Sequence, residues 1–230
     1  MILKIILVAI AVIAGYLLFM ILIGVRILRK FVHFPAPAFI FYFLDSKLRK
    51  RIQPANLLIE RSGVKAGMNV LELGCGSGAY TIDLARAISQ KGNLHSLDIQ
   101  QIMLDKVRSK LLKIENTDVK NVKLILGNAY ELPFQDQLFD LILFITVLQE
   151  IPDKHRALIE AKRVLKDNGR ITITELLVDP DYQSKKTTIT QVEKVGFTLE
   201  KIEGTIMNYT IRFKKAKEFI VPNKSLEQSP

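Results

Sequence analysis

The run VLELGCGSG, Val70 to Gly78, places a carboxylate and alternating glycines in the spacing E-x-G-x-G-x-G from Glu72. An apolar strand that opens into glycines and then a helix lets backbone N–H groups approach a ligand, because no Cβ blocks the path. Gly74, Gly76 and Gly78 supply that approach, with Cys75 and Ser77 between them. A helix N-terminus lowers a thiol pKa, so Cys75 could be reactive, but cysteine also serves as a small hydrophobe in a tight turn, and the packing role is the stronger reading. Further on, HSLDIQ places Asp98, followed by Ile99, at the end of a second apolar run. A carboxylate there can accept two hydroxyl protons at once. Its competing role is the N-cap of a helix beginning near Gln100.

Three later segments add polar groups at comparable places. GNAYELPF, from Gly127, offers Asn128 and Ala129; the apolar run LFDLILFIT ends at Thr146; Gln149 and Glu150 follow it. Glu150 is open to two readings, a general base or substrate contact and a solvated acid near a helix start. A glycine-rich turn alone would also suit a nicotinamide dinucleotide. The glycine spacing and the end of the chain, described below, argue against that.

The E-x-G-x-G-x-G loop resembles motif I of the class I S-adenosylmethionine-dependent methyltransferases, and the resemblance runs from about Pro54 to Lys214. It implies that Asp98 binds the ribose hydroxyls of S-adenosyl-L-methionine. GNAYELPF resembles the family's G-D-A-x-x-L-P-F loop, whose acidic residue reads the adenine amino group; Asn128 stands in that place, with a carbonyl that can still accept the bond. FDLILFITVLQEIPD and ALIEAKRVLKDNGRITI resemble segments of the quinone- and sterol-type methyltransferases, with Asp167 and Asn168 replacing Pro-Gly. Where such relatives often carry histidines after the fourth strand, this chain has Gln149 and Glu150, which leaves a histidine base without support. The cofactor-binding set implied by the resemblance is Glu72, Gly74, Cys75, Gly76, Ser77, Gly78, Asp98, Ile99, Asn128, Ala129 and Thr146, with Gln149 and Glu150 as weak catalytic candidates. Methyl transfer from a sulfonium needs no covalent enzyme intermediate, so few side chains need react.

These residues need a scaffold that brings strand ends together. From Gln53 onward short apolar runs alternate with amphipathic stretches, the pattern of βαβ units and a parallel, doubly wound sheet. Strands are expected at Asn69–Leu73, Asn93–Asp98, Val122–Leu126, within Leu138–Thr146 and at RITITELL, Arg170–Leu177, with the one within Leu138–Thr146 buried on both faces. Helices are expected near Pro54–Arg61, Ala79–Ser89, Gln100–Lys113 and Thr187–Val195, with another from Asp153 to Leu165 that stops at Asn168–Gly169. FTLEKIEG and TIMNYTIRFKK alternate in period two around Gly204 and read as an antiparallel hairpin. The expected fold is α/β: a Rossmann-like, doubly wound seven-stranded sheet, mostly parallel, closed by that hairpin.

Composition frames the rest. The chain has 230 residues, a net charge of +10 and one cysteine, which excludes an intrachain disulfide. His33, His95 and His155 are too dispersed for a local metal motif, and no metal is expected. Ile5 to Val25 carries no charge and would span about 31 Å as a helix. It is followed by Arg26, Arg29 and Lys30. The expectation is therefore one transmembrane helix anchoring the chain in the lipid bilayer, with the catalytic domain on the cytoplasmic side by the positive-inside rule. The division expected is an anchor at 1–28, an aromatic and basic juxtamembrane segment at 29–52, a methyltransferase domain at 53–218 and a disordered tail at 219–230. Basic residues are not interleaved with aromatics on a recognisable module, so no nucleic-acid partner is expected. The function expected is methylation of a lipid-like or membrane-partitioning acceptor. Two alternatives remain: a small-molecule acceptor such as a thiol, or a non-catalytic cofactor-binding or interaction module.

Overall fold

A computed structural model describes residues 47–179 and 181–216, together with positions 6, 9, 10, 12–17, 20 and 24, the last group all helical. Two helices, α1 (Lys47–Ile52) and α2 (Ala55–Ser62), precede β1 (Asn69–Leu73), α3 (Thr81–Ile88), β2 (Asn93–Asp98) and α4 (Gln101–Leu111). Then come β3 (Val122–Leu126), β4 (Phe139–Ile145), α5 (Lys154–Val164), β5 (Leu165–Leu176), α6 (Lys185–Glu193), β6 (Phe197–Gly204) and β7 (Asn208–Lys215). Single 3₁₀ turns at Ile114–Asn116 and Leu148–Glu150 follow α4 and β4.

The strands form one seven-stranded sheet in the order β3-β2-β1-β4-β5-β7-β6. All neighbours are parallel except β7, which runs antiparallel to both β5 and β6. Side-chain alternation divides the core. Leu71 and Leu73 of β1 pack with Ile142 and Phe144 of β4 and with Ala157, Leu158 and Ala161 of α5. Val70, with Leu141 and Leu143, packs on the other face against Leu58 of α2 and Leu84 and Ile88 of α3. β4 is thus apolar on both faces because helices cover both. The strand order reverses at β1, whose neighbours are β2 on one side and β4 on the other. In a doubly wound sheet the crevice at such a switch point is where ligands bind.

Two expectations are corrected by the coordinates. The helix α5 stops at Val164, and Leu165 is already extended at φ −83°, ψ 134°. Asn168–Gly169 is therefore no helix stop. β5 begins at Leu165 and accommodates the extra residues in a register shift between Phe139 and Leu141 of β4. Gly169 is required there because a Cβ would stand 2.8 Å from the Leu165 side chain and 2.9 Å from the Lys166 carbonyl.

The transmembrane helix expected over 1–28 is the second, and with it fall the bilayer as a partner and the single-pass membrane localisation. Among the described residues no helix is long and apolar enough to cross a membrane. Residues 29–46 of the expected aromatic and basic segment and the tail at 219–230 lie outside the described residues.

The basic stretch at the end of the expected juxtamembrane segment packs on the sheet domain instead. Ile52 accepts a hydrogen bond from the Asn208 side chain at 2.6 Å, and the Gln53 carbonyl accepts one from the Tyr80 hydroxyl at 3.0 Å.

Candidate functional site

The C-terminal ends of β1, β2 and β4 surround a cavity of about 330 Å³. Its floor is the loop after β1. Gly74 and Cys75 both donate backbone N–H groups to the Leu97 carbonyl, at 2.8 and 3.0 Å, and Gly78 donates to the Cys75 carbonyl at 3.0 Å. The glycines do different things. A Cβ on Gly74, at φ +70°, would stand 2.3 Å from Val147 Cγ2, so the loop can lie against the β4 loop only without a side chain. A Cβ on Gly76, at φ +53°, would meet nothing within 4 Å, and Gly76 lines the cavity. That cradle has the shape a ligand would fill.

Two carboxylates sit beside it. Asp98, at the end of β2, is buried; its Oδ2 accepts the Gly76 N–H at 2.8 Å and its Oδ1 the Gln100 N–H at 2.9 Å. Burial raises its pKa above the ordinary aspartate value, while these backbone donors pull it back. The Asp98 carboxylate therefore ties the loop after β1 to the turn before α4 and lines the cavity, while the N-cap position of α4 is Gln100 and not Asp98. Glu72, on the α3 side of β1, accepts hydrogen bonds from Thr81 and Ser96 hydroxyls, each at 2.8 Å. Burial raises it to about 7, with the hydroxyl donors and Arg49 opposing and Asp98 assisting the rise.

Thr146 follows β4 directly, at φ +53°, a conformation that strains a β-branched residue. Its hydroxyl donates to the Ile145 carbonyl at 2.7 Å and accepts from Arg49 at 2.6 Å. Arg49 also lies over the Tyr80 ring, 5.4 Å from its centroid, and lines the cavity beside Glu72. Sequence reasoning missed Arg49 because it sits in a run of basic residues read as juxtamembrane charge. Only the docking of α1 singles it out.

Asn128 and Ala129 form another wall. Asn128 Oδ1 accepts the Tyr130 N–H at 3.0 Å, and an amide oxygen has a second lone pair for a ligand. Ile99 is 63% exposed and offers an apolar surface at the cavity edge. Ser77 lines the loop. Cys75 is buried, and desolvation drives its thiol far up, with Glu72 and Asp98 adding to the effect. It packs with Leu104 and Val107, and a nucleophilic role is not supported.

Two expected residues stand outside the cavity. Gly78 lines a separate groove between α3 and α4, and its Cβ would stand 2.9 Å from Val107, so it serves helix packing. Gln149 is buried, with neither side-chain amide atom hydrogen-bonded. Glu150, by contrast, reaches the cavity wall beside Ile151 and Pro152. Of the histidines, His95 is packed edge-on between Phe134 and Phe139, and burial lowers its pKa.

Comparison with known proteins agrees with this geometry. Residues 64–215 match the family model described as a methyltransferase domain. The chain is 38% identical over 113 residues to a demethylmenaquinone methyltransferase of Staphylococcus aureus, covering 49% of this chain and 45% of that one. It is 38% identical over 125 residues to a ubiquinone/menaquinone biosynthesis C-methyltransferase of Vibrio campbellii, covering 53% of this chain and 48% of the other. The chain thus spans about half the length of the relatives it matches. In fold it is similar to a SAM-dependent methyltransferase from Aquifex aeolicus, with a TM-score of 0.71, 21% identity, and coverage of 78% of this chain and 98% of that one. With a seven-stranded sheet, a glycine loop at its switch point and a family match over most of the described residues, the chain belongs to the methyltransferase-domain family and has the S-adenosylmethionine-dependent methyltransferase fold.

Proposed function

We propose that the chain transfers a methyl group from S-adenosyl-L-methionine to a lipophilic, quinol-like acceptor. The observation that carries the proposal is the cavity, where the Gly76 cradle, the Asp98 carboxylate and the Asn128 amide meet at the ends of three strands. Bound there, the cofactor supplies an electrophilic methyl group on a sulfonium. Asp98 has oxygens for the ribose hydroxyls, and Asn128 and Ala129 stand where an adenine edge could be read. The loop Gly74–Ser77, with Glu72 and Thr146, faces the remainder of the cofactor.

The acceptor follows from the other walls. Met103, Ile145, Val147, Ile151 and Pro152 make them largely apolar, which excludes water and favours a lipophilic partner. The relatives named above act, by their names, on demethylmenaquinone and in ubiquinone and menaquinone biosynthesis. Rate acceleration then comes from holding the nucleophilic atom in line with the methyl group in a desolvated pocket.

Incubation with isotopically labelled cofactor, a reduced demethylated quinone and a soluble thiol, followed by mass spectrometry, tests the reading. Label in the quinol is expected. Faster labelling of the thiol would overturn the acceptor class, and no label in either product would overturn methyl transfer to these acceptors.

A further inference from the structure

Beyond the cofactor loop, acidic groups from two separate chain segments gather at the cavity edge. Glu150 ends the 3₁₀ turn after β4; Asp179 and Asp181 lie in the loop after β5. β4 and β5 are paired in parallel through Ile145 and Thr174, so their C-terminal loops emerge side by side. One carboxylate oxygen from each of the three residues lies within 4.8 Å of the others. Oxygens on opposite sides of a calcium ion stand about 4.6 to 5.2 Å apart, and around magnesium about 4 Å, so one ion can reach all three.

A second observation points the same way. Glu175, near the end of β5, is 1% exposed, and its Oε2 is fully buried without a hydrogen-bond partner. The charges of Asp179, Glu150 and Asp181 all bear on it. A buried carboxyl without a donor is an expensive arrangement, and a cation supplies what the protein does not. Lys154, whose ammonium donates to the Ile151 carbonyl at 2.9 Å, also acts on Asp181 and Glu175.

We propose that Glu150, Asp179 and Asp181, with the buried carboxyl of Glu175 beside them, form a binding site for one hard divalent cation such as calcium, manganese or magnesium. The donors are all oxygens, which suits such ions over zinc or copper. Because Glu150 also lines the cavity, the ion stands at its edge, where it could hold a hydroxyl or phenolate oxygen of the acceptor. That role rests on the methyltransferase reading; the binding does not.

The test is calorimetric titration of the full chain with manganese and with calcium, in the absence of cofactor. One saturable site is expected. Asp181→Asn should weaken it at least tenfold, and Glu175→Gln several-fold, whereas Glu115→Gln, in the 3₁₀ turn after α4, should leave it unchanged. Terbium luminescence excited through tyrosine gives an independent readout, since the chain has no tryptophan and Tyr182 lies within electrostatic reach of Glu175. Melting curves without metal show whether each variant is folded. Absence of a saturable site, or equal affinity in Asp181→Asn and the unaltered chain, overturns the proposal whether or not methyl transfer is observed.

Discussion

Asp98 Oδ2 accepts the backbone N–H of Gly76 at 2.8 Å, so the carboxylate that ends β2 also holds the middle of the loop that follows β1. On the proposed reading, ligand recognition and loop geometry share one side chain. Hydrogen bonds to charged groups contribute about 1.5–3 kcal/mol each, equivalent to roughly 10- to 100-fold in affinity. Asp98→Ala should weaken S-adenosylhomocysteine binding by at least that range in calorimetry, with circular dichroism unchanged. Equal affinity would remove Asp98 from the ribose site.

The two glycines nearest the cavity should fail in different ways. Gly74→Ala drives a Cβ into Val147 and needs a left-handed backbone, which together destabilise by about 2–5 kcal/mol. Val147→Ala in the same chain should recover part of that loss. Gly76→Ala meets open space, so its stability loss should stay near 1–2 kcal/mol while cofactor binding drops sharply. Thermal melts paired with calorimetry separate the outcomes, and an equal loss of stability in both variants would contradict the division of roles.

Glu72 predicts a pH dependence. Its pKa rises from 4.5 in the unfolded chain to about 7 in the fold, chiefly because burial disfavours the charged form. The associated stability is present below pH 4.5 and is lost as pH rises through about 7, a change on the order of a few kcal/mol. Glu72→Gln keeps an acceptor for Thr81 and Ser96 and removes the titration. Relative to the unaltered chain it should be more stable at pH 8 than at pH 5. Parallel melting curves across that interval would expose the error.

How much of this could be read from the residues divides along one line. β1, β2 and β3 coincide with the apolar runs because each ends at a glycine or an aspartate: Gly74 follows β1, Asp98 closes β2 and Gly127 follows β3. The glycine loop and Asp98 carry local signatures, since the φ angles and the strand end they need are specified within a few residues. Arg49 carries none: it meets Thr146 across 97 positions of sequence, and nothing near it distinguishes it from Lys50 or Arg51. The acids at Glu150, Glu175, Asp179 and Asp181 are likewise scattered until β4 and β5 pair. The reading of Asn168–Gly169 as a helix stop failed because a local rule for helix ends competed with the tertiary demand of a bulged strand beside β4.

Arg49 joins α1 to the cavity, and its removal tests whether that helix belongs to the working site. Its guanidinium bonds Thr146, lies over Tyr80 and acts on Glu72 to favour the charged form. Arg49→Ala should therefore push the Glu72 titration higher and free the strained Thr146 to relax. A cation–π contact and a partly buried hydrogen bond are each of order 1 kcal/mol, so KM for the cofactor should rise by up to roughly 30-fold. Arg49→Lys should recover the charge effect on Glu72 but not the stacking on Tyr80, because an ammonium lacks the planar face. Initial-rate kinetics on the full chain, with the pH profile recorded for each variant, check both. If Arg49→Ala leaves KM and the profile unchanged, α1 is only a covering helix and the cavity ends at Tyr80.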